Sequence, residues 1–128
     1  MSKKVLVVDD SHMIRRIVGK LLQECDYDVV TAENGQAGLD MARQARPDLI
    51  IMDIEMPVMN GIRATEAIRS DRSIAHIPVL IFTSLGSEED MRMAREAGGS
   101  GFLNKPISRE ELKASVSFLL DADGRGPA

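Results

Sequence analysis

The chain has 128 residues, with 16 lysines and arginines against 20 aspartates and glutamates, a net charge of −4. That is enough chain for one domain with a single core, and too acidic a balance for a protein built to grip nucleic acid. Apolar residues make up 44%, which excludes a disordered chain.

Only four residues are aromatic, Tyr27, Phe82, Phe102 and Phe118, so the core must come from aliphatic side chains and methionines. Basic residues stand at most two together, as Lys3-Lys4 and Arg15-Arg16. A lone cysteine, Cys25, allows no internal disulfide. No apolar run nears the ~20 residues of a membrane span, and the run after Lys4 is too short for a signal-peptide core. A cytoplasmic location is the expectation.

In chain order, Val5-Leu6-Val7-Val8 is a continuous apolar run, the pattern of a strand buried on both faces. Ile14, Ile17, Val18, Leu21 and Leu22 then recur at helical spacing, one apolar stripe of a first helix. Asp28 to Ala32 reads as a weaker strand. Ala37, Met41, Ala42 and Ala45 form a thinner helical stripe, which Pro47 stops. Leu49-Ile50-Ile51-Met52 is a third strand, followed by a helix from Ile62 to Ser70. Val79-Leu80-Ile81-Phe82 is a fourth strand. Ser87 and Asp90 make a capping-box pattern for a fourth helix, ended by Gly98-Gly99. Phe102 to Asn104 is a weaker fifth strand, and Ser108 with Glu111 opens a fifth helix carrying Leu112, Val116, Leu119 and Leu120. Strands alternating with helices in this way predict an open α/β sheet covered on both faces. The domain is expected to span 1–120, with 121–128 as a flexible C-terminal tail.

Ligands of such sheets bind outside the carboxyl ends of the strands. There the first strand ends in Asp9-Asp10, the third in Asp53, the fourth in Thr83 and the fifth in Lys105-Pro106. Singly, each has a plain structural reading: Asp10 as a cap or turn residue, Thr83 as a strand former, Lys105 as a solvated charge. Together they bring acids, a hydroxyl and an ammonium to one edge. Neighbouring carboxylates repel, and a hard dication such as Mg²⁺ relieves that while leaving room for phosphate oxygens. Lys105 adds a positive charge and Thr83 a hydrogen-bond donor for the same oxygens. A carboxylate in that setting can act as a nucleophile and become an aspartyl phosphate.

The stretches Val5-Leu-Val-Val-Asp-Asp-Ser11, Pro47-Asp-Leu-Ile-Ile-Met-Asp-Ile-Glu-Met-Pro57, Asn60-Gly61, Ile77-Pro-Val-Leu-Ile-Phe-Thr-Ser84 and Ala97-Gly-Gly-Ser-Gly-Phe-Leu-Asn-Lys-Pro106 carry a resemblance. They resemble the receiver domain of two-component response regulators in its CheY-like form, from about Lys4 to Leu120. The resemblance implies a flavodoxin-like, doubly wound, five-stranded parallel sheet of order 2-1-3-4-5 with five helices on its two faces. It implies Asp53 as phosphoacceptor, Asp10 as a direct Mg²⁺ ligand, Asp9 acting through metal-bound water, and the backbone carbonyl of Glu55 as a further ligand, with Mn²⁺ able to replace Mg²⁺. Thr83 matches the switch hydroxyl, Lys105 its salt-bridge partner and Phe102 the aromatic switch position. Lys105-Pro106 resembles the family's cis peptide.

The function so implied is phosphorelay signalling. A histidine kinase or histidine phosphotransfer protein would supply the phosphoryl group. The fourth helix, fifth strand and fifth helix would then be remodelled to control a downstream effector protein. On this reading the protein is a stand-alone regulator, the alternative being a fragment of a larger regulator or hybrid kinase. It is no enzyme beyond its own phosphoryl transfer and autodephosphorylation. It contacts neither nucleic acid nor membrane, and its switch face has room for a phosphorylation-dependent dimer.

Some positions leave two readings open. Glu55 bears on phosphoryl lifetime, Phe102 lacks a tyrosine's hydroxyl, and Leu85 either tunes dephosphorylation or packs its loop. Phe118 falls away from the apolar face of its helix, either tucked against a neighbour or exposed as a partner anchor alongside Met93. Competing classes fit less well. An aspartyl-nucleophile phosphatase would carry Asp-x-Asp-x-Thr, but Asp53 is followed by Ile-Glu-Met-Pro. A nucleotide-binding module would carry a glycine-rich turn where Asp9-Asp10-Ser11-His12 stands.

Overall fold

The computed structural model describes residues 2–84 and 87–122. Its elements are β1 (Lys4–Val8), α1 (His12–Glu24), β2 (Asp28–Ala32), α2 (Gly35–Ala45), β3 (Leu49–Met52), α3 (Gly61–Ser70), β4 (Val79–Thr83), α4 (Glu88–Ala97), β5 (Gly101–Asn104) and α5 (Arg109–Ala122). The strands form one parallel sheet in the order β2-β1-β3-β4-β5. The continuous apolar runs are the three central strands, and the two weaker segments are the edges. A central strand must satisfy an apolar layer on each face, whereas an edge strand is half open to water.

Alternate residues of each strand feed two cores. Leu6, Val8, Ile50, Met52 and Ile81 pack with Leu39 of α2, Ile62 and Ile68 of α3 and Ala94 of α4. Val5, Val7, Leu49, Ile51, Leu80 and Phe82 pack on the other face with Val18, Leu21 and Leu22 of α1 and Leu112 and Val116 of α5. Ala94 and Ala97 are the buried residues of α4. Small side chains of this kind provide little apolar area to fasten that helix.

Helix ends follow the predicted caps. Ser87 Oγ accepts the Asp90 N–H at 3.0 Å and donates to Asp90 Oδ2 at 2.7 Å. Gly98 closes α4 with φ +113°, a conformation that suits glycine. Ser108 Oγ accepts the Glu111 N–H at 3.3 Å. Two expectations are corrected. Helical spacing puts Ile17 on the apolar stripe of α1, yet it is 42% exposed. It faces an open cleft with Met13, Lys20 and Val29 beside the edge strand β2, where no further element covers it among the described residues. α5 also runs through Ala122, so the first two residues of the expected tail are helical, and 123–128 lie outside the described residues. Leu85 lies outside them as well. Among the described residues no helix is long and apolar enough to cross a membrane.

Candidate functional site

The parallel pairing of β1, β3 and β4 brings their carboxyl ends side by side, and the residues that follow inherit that proximity. Asp9 follows β1, and its N–H donates to Ala32 O at 3.1 Å across the β1–β2 pair. Asp53 follows β3, and its N–H donates to Val8 O at 3.0 Å. Both are buried, whereas Asp10 is exposed. Carboxylate oxygens of Asp9, Asp10 and Asp53 all lie within 4.8 Å of one another. Neither Asp9 nor Asp10 is the cap of α1. That role falls to Ser11, whose Oγ accepts the Ile14 N–H at 3.2 Å.

Lys105 binds two of the three acids. Its Nζ donates to Asp9 Oδ2 at 2.8 Å and to Asp53 Oδ2 at 3.3 Å. It is delivered by β5 and by the hydrogen bond from its own N–H to Thr83 O at 2.9 Å. The peptide to Pro106 is cis. The other oxygens are held by the backbone: Asp9 Oδ1 accepts the Ser11 N–H at 2.9 Å, and Asp53 Oδ1 accepts the Ile54 N–H at 2.8 Å. Thr83 ends β4, fully buried, and its hydroxyl favours the ionised form of the Asp53 carboxyl.

Burial, and then the charge of Asp9, push the Asp53 carboxyl above its ordinary range, against the pull of Lys105, Thr83 and the Ile54 N–H. Burial works against the charge of Lys105, yet its bonds to Asp9 and Asp53 win and raise its pKa. The three carboxylates and the Lys105 ammonium together carry two net negative charges. A dication with oxygen ligands matches that donor set, because Mg²⁺ takes one or two carboxylates and keeps waters for the rest. The residues present therefore fit a Mg²⁺ ion.

The loop from Asp53 to α3 is shaped by a close approach at Gly61. A Cβ there would lie 1.9 Å from Asp53 O, so only glycine fits. Within the loop Glu55 is exposed, and Val58 is 81% exposed with φ +70°. Phe102 of β5 is half-buried, and the Arg95 guanidinium of α4 lies 5.7 Å from its ring centroid. Phe118 of α5 is 70% exposed and Met93 of α4 is also exposed. Phe118 is therefore not tucked against a neighbour among the described residues.

Sequence reasoning placed Asp9, Asp10, Asp53, Thr83 and Lys105 at one edge, and the structure brings these five together. It missed Arg15. The Arg15 Nη1 donates to Asp9 O at 2.6 Å, whereas its neighbour Arg16 is exposed. The available signal was its place in the opening turns of α1, where a side chain points back along the helix toward the preceding loop.

Comparison with known proteins agrees with this geometry. The profile of the response regulator receiver domain family matches residues 5–117. The chain is 38% identical over 123 residues to a chemotaxis protein CheY of Halobacterium salinarum, covering 95% of this chain and 100% of that one. It is 33% identical, with the same coverage, to the polar-differentiation response regulator DivK of Brucella anthropi. Among solved structures, a CheY4 chemotaxis protein of Vibrio cholerae superposes with a TM-score of 0.88 at 37% identity, covering 93% of this chain and 99% of that one. The signal receiver domain of a histidine kinase from Syntrophus aciditrophicus superposes with a TM-score of 0.90 at 28% identity, covering 99% and 96%.

Proposed function

The chain belongs to the response regulator receiver family, and from that premise we propose that it accepts a phosphoryl group on Asp53 from a phosphohistidine and signals through a partner protein. The observation that carries this reading is the acid cluster at the strand ends, with Lys105 bridging Asp9 and Asp53. Asp53 Oδ1 is tied to the Ile54 N–H, so Oδ2, facing Lys105, is the oxygen left to attack. A P–O bond forms at Oδ2 as the P–N bond to the donor imidazole breaks, the electron pair leaving with the nitrogen. Lys105 neutralises charge on the transferred group, and the Thr83 hydroxyl donates to one of its oxygens. Asp10, Asp53 and the Glu55 carbonyl would hold Mg²⁺, with Asp9 acting through water, and the ion supplies charge neutralisation of the phosphoryl oxygens.

Phosphorylation would give Thr83 and Lys105 a new set of oxygen acceptors. Movement of Thr83 then frees space for Phe102 and biases the α4-β5-α5 face, where Phe118 is exposed. That face is the proposed contact for an effector, or for a second copy of the chain in the phosphorylated state. The protein turns over no external substrate and works in the cytoplasm. The stand-alone form is supported by the CheY and DivK relatives, which are matched over their whole length. A receiver carried within a larger kinase is the second reading, favoured by the Syntrophus aciditrophicus neighbour.

The test is incubation with acetyl phosphate and Mg²⁺ followed by intact mass measurement. The protein should gain the mass of one phosphoryl group, and none when a chelator is added. Absence of any gain overturns the reading. Sustained release of phosphate, well beyond one equivalent, from a small phosphoester in place of acetyl phosphate points to a phosphatase instead.

A further inference from the structure

We propose that Arg15 is a positioning residue for the metal-binding acids, holding the Asp9–Asp10 peptide so that the Asp10 carboxylate stays in register with Asp9 and Asp53. This rests on the metal-site reading above and adds to it a residue that touches neither metal nor phosphoryl group.

The two adjacent acids are held very differently. Every polar group of Asp9 has a partner: its N–H bonds Ala32 O, its Oδ1 the Ser11 N–H, its Oδ2 Lys105, and its carbonyl the Arg15 guanidinium at 2.6 Å. Asp10 is exposed, and its carboxylate has no hydrogen bond among the described residues. Its position therefore depends on the backbone leading to it. The nearest part of that backbone is the planar Asp9–Asp10 peptide, whose carbonyl Arg15 holds.

The placement of Arg15 is poorly explained by helix stability. α1 has no acidic residue in its first turn, and a cation near a helix N-terminus opposes the macrodipole. Arg15 is half-buried even so, and its shortest bond goes to a carbonyl, not to a carboxylate. Arg15 thus occupies no carboxylate oxygen of the cluster. The guanidinium is always charged, so this anchor does not vary with pH.

The test is a Mg²⁺ titration followed by the backbone amide NMR signals of Asp10 and Asp53, on wild type, Arg15→Met and Arg15→Lys. Arg15→Met keeps the aliphatic stem and removes the donor. Its metal-free spectrum should remain that of the folded protein, while its Mg²⁺ affinity falls about tenfold, the lower end of what losing an outer-shell partner costs. Arg15→Lys, which can still donate, should recover most of that affinity. The sign is decisive, because removing a positive charge from the cluster would by itself tighten Mg²⁺ binding. Equal or tighter binding by Arg15→Met overturns the proposal and leaves the metal site standing. Absence of any response in the wild type overturns both.

Discussion

The two edges of the sheet each hold a part-buried cation, and the two are used in opposite ways. At the carboxyl edge Lys105 faces two buried carboxylates, Asp9 and Asp53. At the amino edge the Arg69 guanidinium, from the last turn of α3, has no carboxylate partner among the described residues. It donates instead to Ile77 O at 2.6 Å, Gly98 O at 2.7 Å, Ala75 O at 3.2 Å and Ser100 Oγ at 3.2 Å. Ser100 Oγ in turn accepts the Val79 N–H that opens β4. Neutral acceptors that use up a guanidinium's donors form a fastening, here tying α3 to the end of α4 and the starts of β4 and β5. Acids that outnumber their cation leave charge unbalanced, and that imbalance is what a metal and a phosphoryl group can use.

Backbone conformation follows the same division. Asp26 and Arg46 adopt positive φ at the amino edge, just beyond or capping the ends of α1 and α2, where left-handed residues commonly end helices. Val58, with φ +70°, sits at the carboxyl edge in the loop after Asp53, and a β-branched side chain is strained there.

The largest stability effect should come from breaking the amino-edge fastening. Arg69→Met removes the donor shared by the carbonyls of buried Ile77 and half-buried Ala75 and Gly98, and denaturant unfolding should show a loss of roughly 3 kcal/mol. Phosphoryl acceptance should survive in whatever fraction stays folded, and Mg²⁺ should restore none of the stability. Lys105→Met is the matched test at the other edge. It strips two buried acids of a part-buried cation, at a cost of roughly 2 kcal/mol in metal-free protein. Mg²⁺ should recover most of that loss, while phosphoryl acceptance slows by about 10²-fold. If Mg²⁺ rescues both variants or neither, the contrast between the edges fails.

Val58→Asn should relieve strain and raise stability by about 1 kcal/mol, since asparagine tolerates the left-handed region. A loss of stability there would mean that the Val58 side chain is held by contacts its exposure does not suggest. The smallest effect lies at the amino edge, where Arg43 donates to Asp71 at 2.8 Å. Hydrogen bonds from Arg43, and then from Ser73, hold the Asp71 carboxyl down to about 2. The folded state thus takes up this proton less readily than the unfolded chain. The contribution is complete above the ordinary carboxylate range, near ~3.9, and is lost as pH falls toward about 2. Asp71→Asn should flatten that part of the melting-temperature profile.

Much of the carboxyl edge was legible in the sequence, and little of the amino edge. Asp9, Asp53 and Thr83 each stand directly after an apolar run, and Lys105 follows the short strand Phe102 to Asn104, so finding the strands finds them. Which strands lie side by side was not derivable from periodicity, because right-handed crossovers permit several orders. The order came with the resemblance, and the structure bears it out. Arg69 reads as one more charge near a helix end. Its acceptors lie up to 31 residues away, at positions that only the folded chain brings together. Ile17 misled for a related reason: helical spacing marks an apolar face, but whether that face is covered depends on β2 being an edge strand.

The central claim is that the charge imbalance at the carboxyl edge makes Asp53 the acceptor. Treatment with acetyl phosphate and Mg²⁺, followed by borohydride reduction, converts an aspartyl phosphate into homoserine, and peptide mapping then reads which aspartate carried it. The account predicts conversion at position 53 alone, dependent on Mg²⁺ and absent in Asp53→Asn. Conversion at Asp9 or Asp10, or at no aspartate, would contradict it.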